Sequence, residues 1–460
     1  MLIMTIIPFL IITTHERSVM EKNEILKTLK EEKIDYLQMQ FIDIFGICKH
    51  VEVPKTQFEK AVNGDVMFDG SSIDGFTRIE ESDMLLIPDY KTFRIFPWED
   101  ESGKVARLIC DVHNPDGTPF KGCPRFILKQ VVKEAEKLGY YMVVGPEAEF
   151  FLFYRNGEGE PTLKTHDKAG YFDMAPQDLG SLTRRDIVKA LEKLEFEVEA
   201  AHHEVADGQH EIDFKYDDVI STADNVITFK LVVKKIASKH GLHATFMPKP
   251  VFGINGSGMH CHQSLFDKNG NNLFHDPKDS IGLSKLMRQY IAGILKHAKG
   301  MCAITNPLVN SYKRLVPGYE APINLAWSEK NRSPLIRIPA SRGKGTRMEL
   351  RMPDPTCNPY LSFAVMLKSG LDGIKNKMTP PDPVDKNVFT MSEREKRRYR
   401  IDALPPNLRE SLHFLKKDDL LTETLGDHIF NHFYNSKVLE WNNYISRVHS
   451  WEHDRYFELY

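Results

Sequence analysis

Residues 145–153 read G-P-E-A-E-F-F-L-F: two glutamates one residue apart, running straight into four apolar side chains. Successive side chains of a strand point to opposite faces, so Glu147 and Glu149 share one face if this stretch is extended. An E-x-E on a strand is commonly the wet face of a half-exposed sheet. The apolar run after Glu149 argues for a buried strand instead, where a carboxylate is costly unless a cation neutralises it.

Two further stretches repeat the pattern. In M-H-C-H-Q-S-L-F (259–266), His260, His262 and Ser264 fall on one face between apolar residues. In T-R-M-E-L-R-M (346–352), Arg347, Glu349 and Arg351 do the same. H-H-E-V-A-D-G-Q-H-E-I (202–212) adds Glu204 and Glu211. The H-C-H string suggests zinc, but alternation turns Cys261 away from both histidines. Hard oxygen donors with few nitrogens favour magnesium or manganese. Arg314, Arg332, Arg337, Arg342, Lys344, Arg347 and Arg351 follow close together. They read either as a solvated basic face or as clamps for phosphate and carboxylate, which arginine holds bidentately. Metal-binding acids with arginine clamps are the parts of a phosphoryl-transfer site. On the residues alone this is a metal-dependent ATP enzyme, its acceptor open.

Outward from these strands, the pattern divides the chain. Residues 21–33 form an amphipathic helix; 35–44 alternate as a strand, turn at Gly46 and return through 49–53. A small mixed α/β domain spans 35–117 and ends at the N-P-D-G-T-P cluster, 114–119. Pro124 opens a helix with apolar positions 127, 128, 131, 132, 135 and 138, and Gly139 stands just past its end. Further helices are expected at 183–195, 221–240, 281–299, 358–376 and 408–433. Further strands are expected at 140–153, 209–215, 243–247, 259–266 and 347–352. The Pro- and Asp-rich segment 377–395 reads as an exposed loop. Nothing splits 124–460, which is taken as one large domain, with 1–34 as an N-terminal extension and helix.

Composition limits the partners. The 61 basic and 64 acidic residues leave a formal net charge of -3, which gives no reason to expect nucleic acid or an anionic membrane as a main partner. The six cysteines show no C-x-x-C pair, as in a reduced cytoplasmic enzyme. The apolar run M-L-I-M-T-I-I-P-F-L-I-I (1–12) lacks a basic flank and is shorter than the ~20 residues a spanning helix needs. Residues 1–19 read as an extension of little consequence, as from an upstream start codon, with a membrane tether as the lesser reading.

Six motifs together resemble the glutamine synthetase family, type I, of bacteria and archaea. They are F-D-G-S-S-I (68–73), G-P-E-A-E-F-F (145–151), H-H-E-V-A-x-G-Q-H-E-I (202–212), K-P-x-F-G-x-N-G-S-G-M-H (249–260), N-S-Y-K-R-L-V-P-G-Y-E-A-P (310–322) and N-R-S-x-x-I-R-I-P (331–339). The resemblance covers about 21–460. It implies an α+β fold, an N-terminal β-grasp domain followed by a large α/β catalytic domain, assembled as a dodecamer of two stacked hexameric rings with active sites between neighbouring subunits. It implies ligation of ammonia to the glutamate side chain through a γ-glutamyl phosphate, with ATP as co-substrate and two to three magnesium or manganese ions per site.

Position by position, the resemblance assigns Glu149, Glu204 and Glu211 to one metal site and Glu147, His260 and Glu349 to a second beside the ATP phosphates. Asn255 and Gly256 would hold the glutamate, with Arg314 and Arg351 among its cationic contacts and Glu149 and His260 alongside. Arg332, Arg337 and Lys344 would meet ATP, with Glu199, His262 and Ser264 nearby. Ammonium would sit among Asp43 (from the adjacent subunit, and the expected base), Tyr171, Glu204 and Glu320. Glu320 would also close the site as a lid, between Gly318 and Pro322.

The adenylylated branch of the family carries a modifiable tyrosine where K-N-V-F-T-M-S-E (386–393) places Phe389. A phenyl ring has no hydroxyl to accept AMP, so the chain is closer to the non-adenylylated, feedback-regulated branch. R-I-E-E-S-D-M (78–84) fits that branch, with Arg78 read either as an effector contact or as an ion-pair partner of Glu80 or Glu81. Three rival readings stand beside this one. A γ-glutamyl-amine ligase for a larger amine would need an enlarged acceptor pocket. A catalytically silent relative would have lost metal ligands. An active enzyme that also docks a nitrogen-regulatory protein is compatible with every residue.

Overall fold

The structure, a computed structural model, describes residues 20–73, 75, 83–98, 103–318, 321–329 and 331–460. The extension 1–19, Arg78 with Glu80 and Glu81, and Glu320 lie outside the described residues. The first unit runs α1 (Lys22–Glu31), β1 (Tyr36–Ile42), β2 (Cys48–Pro54), α2 (Phe58–Val62), β3 (Val66–Asp69), β4 (Asp83–Ile95) and β5 (Val105–His113). Its strands form one mixed sheet in the order β2-β1-β5-β4-β3, with β1 parallel to β5. Alternation in β1 sends Leu37, Met39 and Phe41 into a core that also buries Ile25 and Leu29 of α1. The tight turn after β1 needs glycine twice over. Gly46 has φ +81°, and a Cβ there would lie 2.9 Å from Cα of Asn358, in the second unit.

The larger unit continues with α3 (Pro124–Lys137), β6 (Tyr141–Ala148), β7 (Phe150–Arg155), β8 (Pro161–Thr165), α4 (Ser181–Lys193), β9 (Val198–His203), β10 (Gln209–Phe214) and β11 (Asp217–Asp218). Next come α5 (Val219–Lys239), β12 (Leu242–Thr245), β13 (Met259–Phe266), α6 (Lys285–Thr305), α7 (Ser311–Arg314), β14 (Asn324–Ser328), β15 (Pro334–Arg337) and β16 (Met348–Leu350). The chain closes with α8 (Pro359–Lys375), α9 (Glu393–Arg398), β17 (Asp402–Ala403), α10 (Leu408–Lys416), α11 (Asp419–Ile445) and α12 (Ser450–Tyr456). Among the described residues, one sheet runs β11-β6-β13-β16-β15-β14-β17, and another runs β12-β7-β10-β9 with β8 beside β7. Helices α3, α5, α6 and α8 bury their apolar faces in the main core with these strands. No helix among the described residues is long and apolar enough to cross a membrane.

Three expectations change. The strand expected at 140–153 breaks at Glu149, whose backbone N–H donates to Gly258 O at 3.0 Å. As a result β6 belongs to one sheet and β7 to the other. The helix expected at 408–433 is two, because Asp418 caps a new start by accepting from Leu421 N. The segment 377–395 is not wholly exposed: Val384, Val388 and Met391 are buried with Ala326.

Candidate active site

The chain's passage from one sheet to the other positions the acids. Glu147 lies near the end of β6, Glu149 at the crossing point, and Glu204 and Glu211 on the β9–β10 hairpin. His260 and His262 lie on β13, paired with Glu147 and Gly145 of β6, while His262 also pairs with Glu349 of β16. Cys261 points away into the core, fully buried, as alternation requires.

One group gathers around Glu147. Its carboxylate accepts from His262 Nε2 at 2.8 Å and lies 3.4 Å from His260 Nδ1. His260 Nδ1 is also 3.5 Å from Glu349. Arg347 Nε donates to His262 Nδ1 at 3.1 Å, which fixes the proton of His262 on Nε2. Burial pushes the Glu147 carboxyl up, but the two imidazoles outweigh it and hold it well below the usual range. Burial likewise keeps His260 below its ordinary value, in the neutral form that ligates metals. Glu349 accepts from Arg337 at 2.8 Å and Arg351 at 3.1 Å, so this acid is already flanked by two guanidinium groups.

A second group surrounds Glu149. Its Oε2 accepts from Gln209 Nε2 at 2.9 Å and Gly258 N at 2.8 Å. Burial, then the neighbouring Glu204 charge, pushes this carboxyl up to about 8. Glu211 is also raised well above the usual range, by burial and then by Asp213, Glu149, Glu147 and Glu204. Glu204 accepts from His202 Nε2 at 2.8 Å, and His202 lies 3.7 Å from Glu211. Carboxylates that raise one another in a desolvated place are a donor set in want of a cation. An oxygen-rich set with imidazole at its edge fits a hard divalent ion such as magnesium or manganese. Among the described residues, ligand atoms of Glu147, His262 and Glu349 lie within 4.8 Å of one another, as do those of His202, Glu204 and Glu211.

Beside the first group opens a cavity of about 220 Å³, lined by Glu147, Glu199, His262, Ser264 and Lys344, with Asp213, Tyr216 and Arg347. Ser264 spends its hydroxyl on Thr346 O at 2.8 Å. Lys344 stands exposed on a short turn, Gly343–Gly345. Tyr171, half exposed, stands 5.7 Å from His202 between ring centroids, with Arg332 beside it. Asn255 and Gly256 sit on the loop before β13. Lys249 Nζ donates to Ile254 O on this loop, and Asn310 exchanges hydrogen bonds with the Lys249 backbone at 2.8 and 3.0 Å. The loop runs so close to Arg314 that a Cβ at Gly258 would collide with the guanidinium.

Two expected members have partners of their own within this chain. Arg314 is buried, and its terminal nitrogens donate to the carbonyls of Arg351, Met352 and Pro353. Here it braces the framework, tying the carbonyls that follow β16 to α7; Met352 O also accepts from Asn306 Nδ2 at 2.7 Å and Pro353 O from Met259 N at 2.9 Å. Asp43 lies in the first unit, where its carboxylate accepts from Phe45 N and Ile47 N, both at 2.9 Å, and pairs with Lys49 at 3.7 Å. None of these partners belongs to the acid cluster. Asn358, at the start of α8, donates to the carbonyls of Asp43 and Ile44, tying that turn to the larger unit.

Sequence reasoning assigned no role to His202, Gln209 or Asp213. The alternation used elsewhere could have found all three. His202 precedes Glu204 by two residues, Gln209 precedes Glu211 by two and Asp213 follows it by two, so each falls on the same alternating face as a candidate ligand.

Comparison with known proteins supports the same reading. The family model "Glutamine synthetase, catalytic domain" matches residues 121–456, and "Glutamine synthetase, beta-Grasp domain" matches 33–115. The glutamine synthetase of Thermus thermophilus is 60% identical over 443 residues, covering 95% of this chain and 99% of that protein. That of Clostridium saccharobutylicum is 58% identical over 439 residues, covering 95% and 99%. The solved structure titled GmaS/ADP complex superposes with a TM-score of 0.84 at 32% identity, covering 94% of this chain and 99% of that one. With both domains matched and identity sustained along nearly the whole length, the chain belongs to the glutamine synthetase family and is a glutamate–ammonia ligase.

Proposed function

We propose that the chain ligates ammonia to the side-chain carboxylate of glutamate in two steps at the acid cluster. The glutamate carboxylate attacks the γ-phosphorus of ATP, giving γ-glutamyl phosphate and ADP. Ammonia then displaces phosphate to give glutamine. The observation that carries this reading is the meeting of mutually repelling carboxylates beside a cavity with cationic residues on its walls.

Glu149, Glu204 and Glu211 would hold one divalent cation, and Glu147, His260 and Glu349 a second. A bound magnesium or manganese ion would neutralise charge that builds up as one anion attacks another. Arg332, Arg337 and Lys344 face the phosphates in this reading, with Glu199, His262 and Ser264 at the nucleotide. Arg351 and the Asn255–Gly256 loop orient the glutamate, and Arg314 supports that loop from behind.

Ammonium needs a base before it can attack. Burial raises the Asp43 carboxyl, outweighing its backbone hydrogen bonds and Lys49, which makes it a better proton acceptor. Its place away from its own chain's cluster suits donation to a neighbouring subunit's site, in a dodecamer of two hexameric rings. Tyr171, Glu204 and Glu320 complete the ammonium site, and Glu320 closes it against water. Gly318, with φ +100° and open space around it, suits a hinge. Glu320→Ala is expected to bind ATP normally while losing most of its synthetic rate. Unchanged glutamine production would rule out the lid.

The direct test measures glutamine and ADP formed from glutamate, ATP and ammonia, with methylamine and putrescine as competing amines and with EDTA. Ammonia should be used fastest, and EDTA should abolish turnover. Activity that survives EDTA, or faster use of a larger amine, would overturn the reading.

A further inference from the structure

Beneath the hairpin that carries Glu204 and Glu211 lies a fully buried polar layer, reached from the segment that follows β8. Asp167 is its centre. One carboxylate oxygen accepts from His203 Nε2 at 2.8 Å and from Gly208 N at 3.0 Å. The other accepts from Leu179 N at 3.1 Å and Gly180 N at 3.4 Å, at the start of α4. His203 donates from its second nitrogen, Nδ1, to the carbonyl of Glu204 at 2.7 Å. The peptide that carries the Glu204 carboxylate is thus held from behind by an imidazole that is itself held by a buried carboxylate. The same carboxylate grips the far end of the turn at Gly208.

A metal reading of this layer fails on its own geometry. Asp167, His203 and His210 do offer ligand atoms within 4.8 Å of one another. Arg184 Nη1, which can only donate, lies 2.8 Å from His210 Nδ1 and is bound at its other side by Asp178. The His210 proton therefore resides on Nε2, and that nitrogen has no lone pair to give. His210 Nε2 is left buried without a hydrogen-bond partner among the described residues, and a proton-bearing nitrogen calls for an acceptor there, not a cation.

We propose that Asp167 and His203 are a positioning pair for cation binding. By fixing the Glu204 peptide they fix the direction of its carboxylate, so that losing the pair weakens the protein's hold on a divalent ion more than it slows the loaded enzyme. The proposal rests on Glu204 being a cation ligand, as read above. Partners standing behind a metal ligand typically change metal affinity about 10- to 100-fold when removed.

The test is Mn2+ binding to the purified oligomer, read by the electron paramagnetic resonance signal of the free ion, beside turnover at saturating cation. An asparagine at position 203 can place its amide nitrogen where Nδ1 stands and keep the bond to Glu204 O. A glutamine reaches toward Asp167 instead. His203→Gln is expected to weaken Mn2+ binding about tenfold or more, with turnover at saturating Mn2+ kept within about threefold, and His203→Asn should restore most of the affinity. Asp167→Asn, which keeps size and an acceptor oxygen, carries the same expectation as His203→Gln should that variant fail to fold. Unchanged Mn2+ affinity in His203→Gln or Asp167→Asn, while Glu204→Gln loses it, would overturn the positioning pair and leave the cation site standing. Wild-type affinity in Glu204→Gln would overturn both. A loss of affinity that His203→Asn and His203→Gln share equally, in step with a fall in melting temperature, would show a structural role only and overturn the proposal.

Discussion

Where the two units of the chain meet, Arg125 is buried among three aspartates: Asp89 at 2.7 Å and Asp111 at 2.9 Å from the first unit, and Asp224 at 2.9 Å from the second. Lys129 adds a second cation beside Asp111, and Tyr360 donates to Asp224 at 2.6 Å. Burial pushes the Asp89 and Asp111 carboxyls up, but Arg125 and Lys129 more than reverse it, and both end below the ordinary range. Around Glu149 the same kind of residue meets the opposite outcome: burial and neighbouring acids leave the carboxyls raised. Both clusters are acidic and withdrawn from water. They differ in whether the chain supplies the compensating charge. Where it does, the cluster joins domains; where it does not, the charge must come from solution. This difference separates the domain junction from the Glu149 group more sharply than residue type or burial. Glu147 and Glu349, where burial is outweighed by neighbouring imidazoles and, for Glu349, by Arg351, fall between the two.

The contrast can be broken at several points. The largest effect should follow Arg125→Met, which leaves three carboxylates with Lys129 as their one remaining cation among the described residues. Removing one member of a buried ionic group typically costs about 3–5 kcal/mol. Thermal denaturation should show this loss, and added Mg2+ should not restore it.

Glu149→Gln should do the reverse. Ligation should fall about 100-fold or more, as expected when a cation ligand is lost, yet the cation-free protein should melt no lower than wild type. The sign follows from the raised carboxyl. Below the unfolded value of 4.5 both states are protonated and no penalty exists. As pH rises toward about 8 the unfolded chain releases a proton that the folded chain retains, so cation-free stability declines through that window and the penalty is complete above it. Glutamine at position 149 should flatten this decline, and a melting series from pH 5 to pH 8.5 would reveal it. Equal slopes in the two proteins would place the carboxylate among the structural ones after all.

Adding Mg2+ to wild type at about 100 times its dissociation constant should stabilise the fold by about 2.7 kcal/mol, and Glu149→Gln should show much less. Smallest is Tyr360→Phe, which removes one hydrogen bond to a charged group and should cost about 1.5 kcal/mol. It should do so equally with and without cation, which would mark the domain junction as indifferent to metal.

Much of the fold was legible in the sequence because its signals are local. Pro124 and Gly139 bracket α3 as expected, with Pro at the first turn and Gly139 at φ +82°. Helices α4, α5 and α8 lie within a few residues of their expected spans. Alternation gave the strand faces of Glu147, His260 and Glu349, whose strands prove to be neighbours in one sheet, and turned Cys261 inward. It failed where a neighbour distant in sequence decided the outcome. Glu149 ends a strand because Gly258 O takes its N–H. Asp418 starts a new helix while also accepting from His297 at 2.6 Å.

By itself, the sequence determined which residues carry charge, which face of each strand they occupy and where helices begin and stop, since period-two and period-3.6 patterns are properties of a few adjacent residues. Tertiary structure alone decided that β6 and β7 part company at Glu149, that Asp167 and His203 stand behind Glu204, and that Arg125 answers one set of acids and leaves the other uncompensated. Those outcomes depend on which apolar faces can be buried together, and burial between segments a hundred residues apart leaves no local mark in the chain.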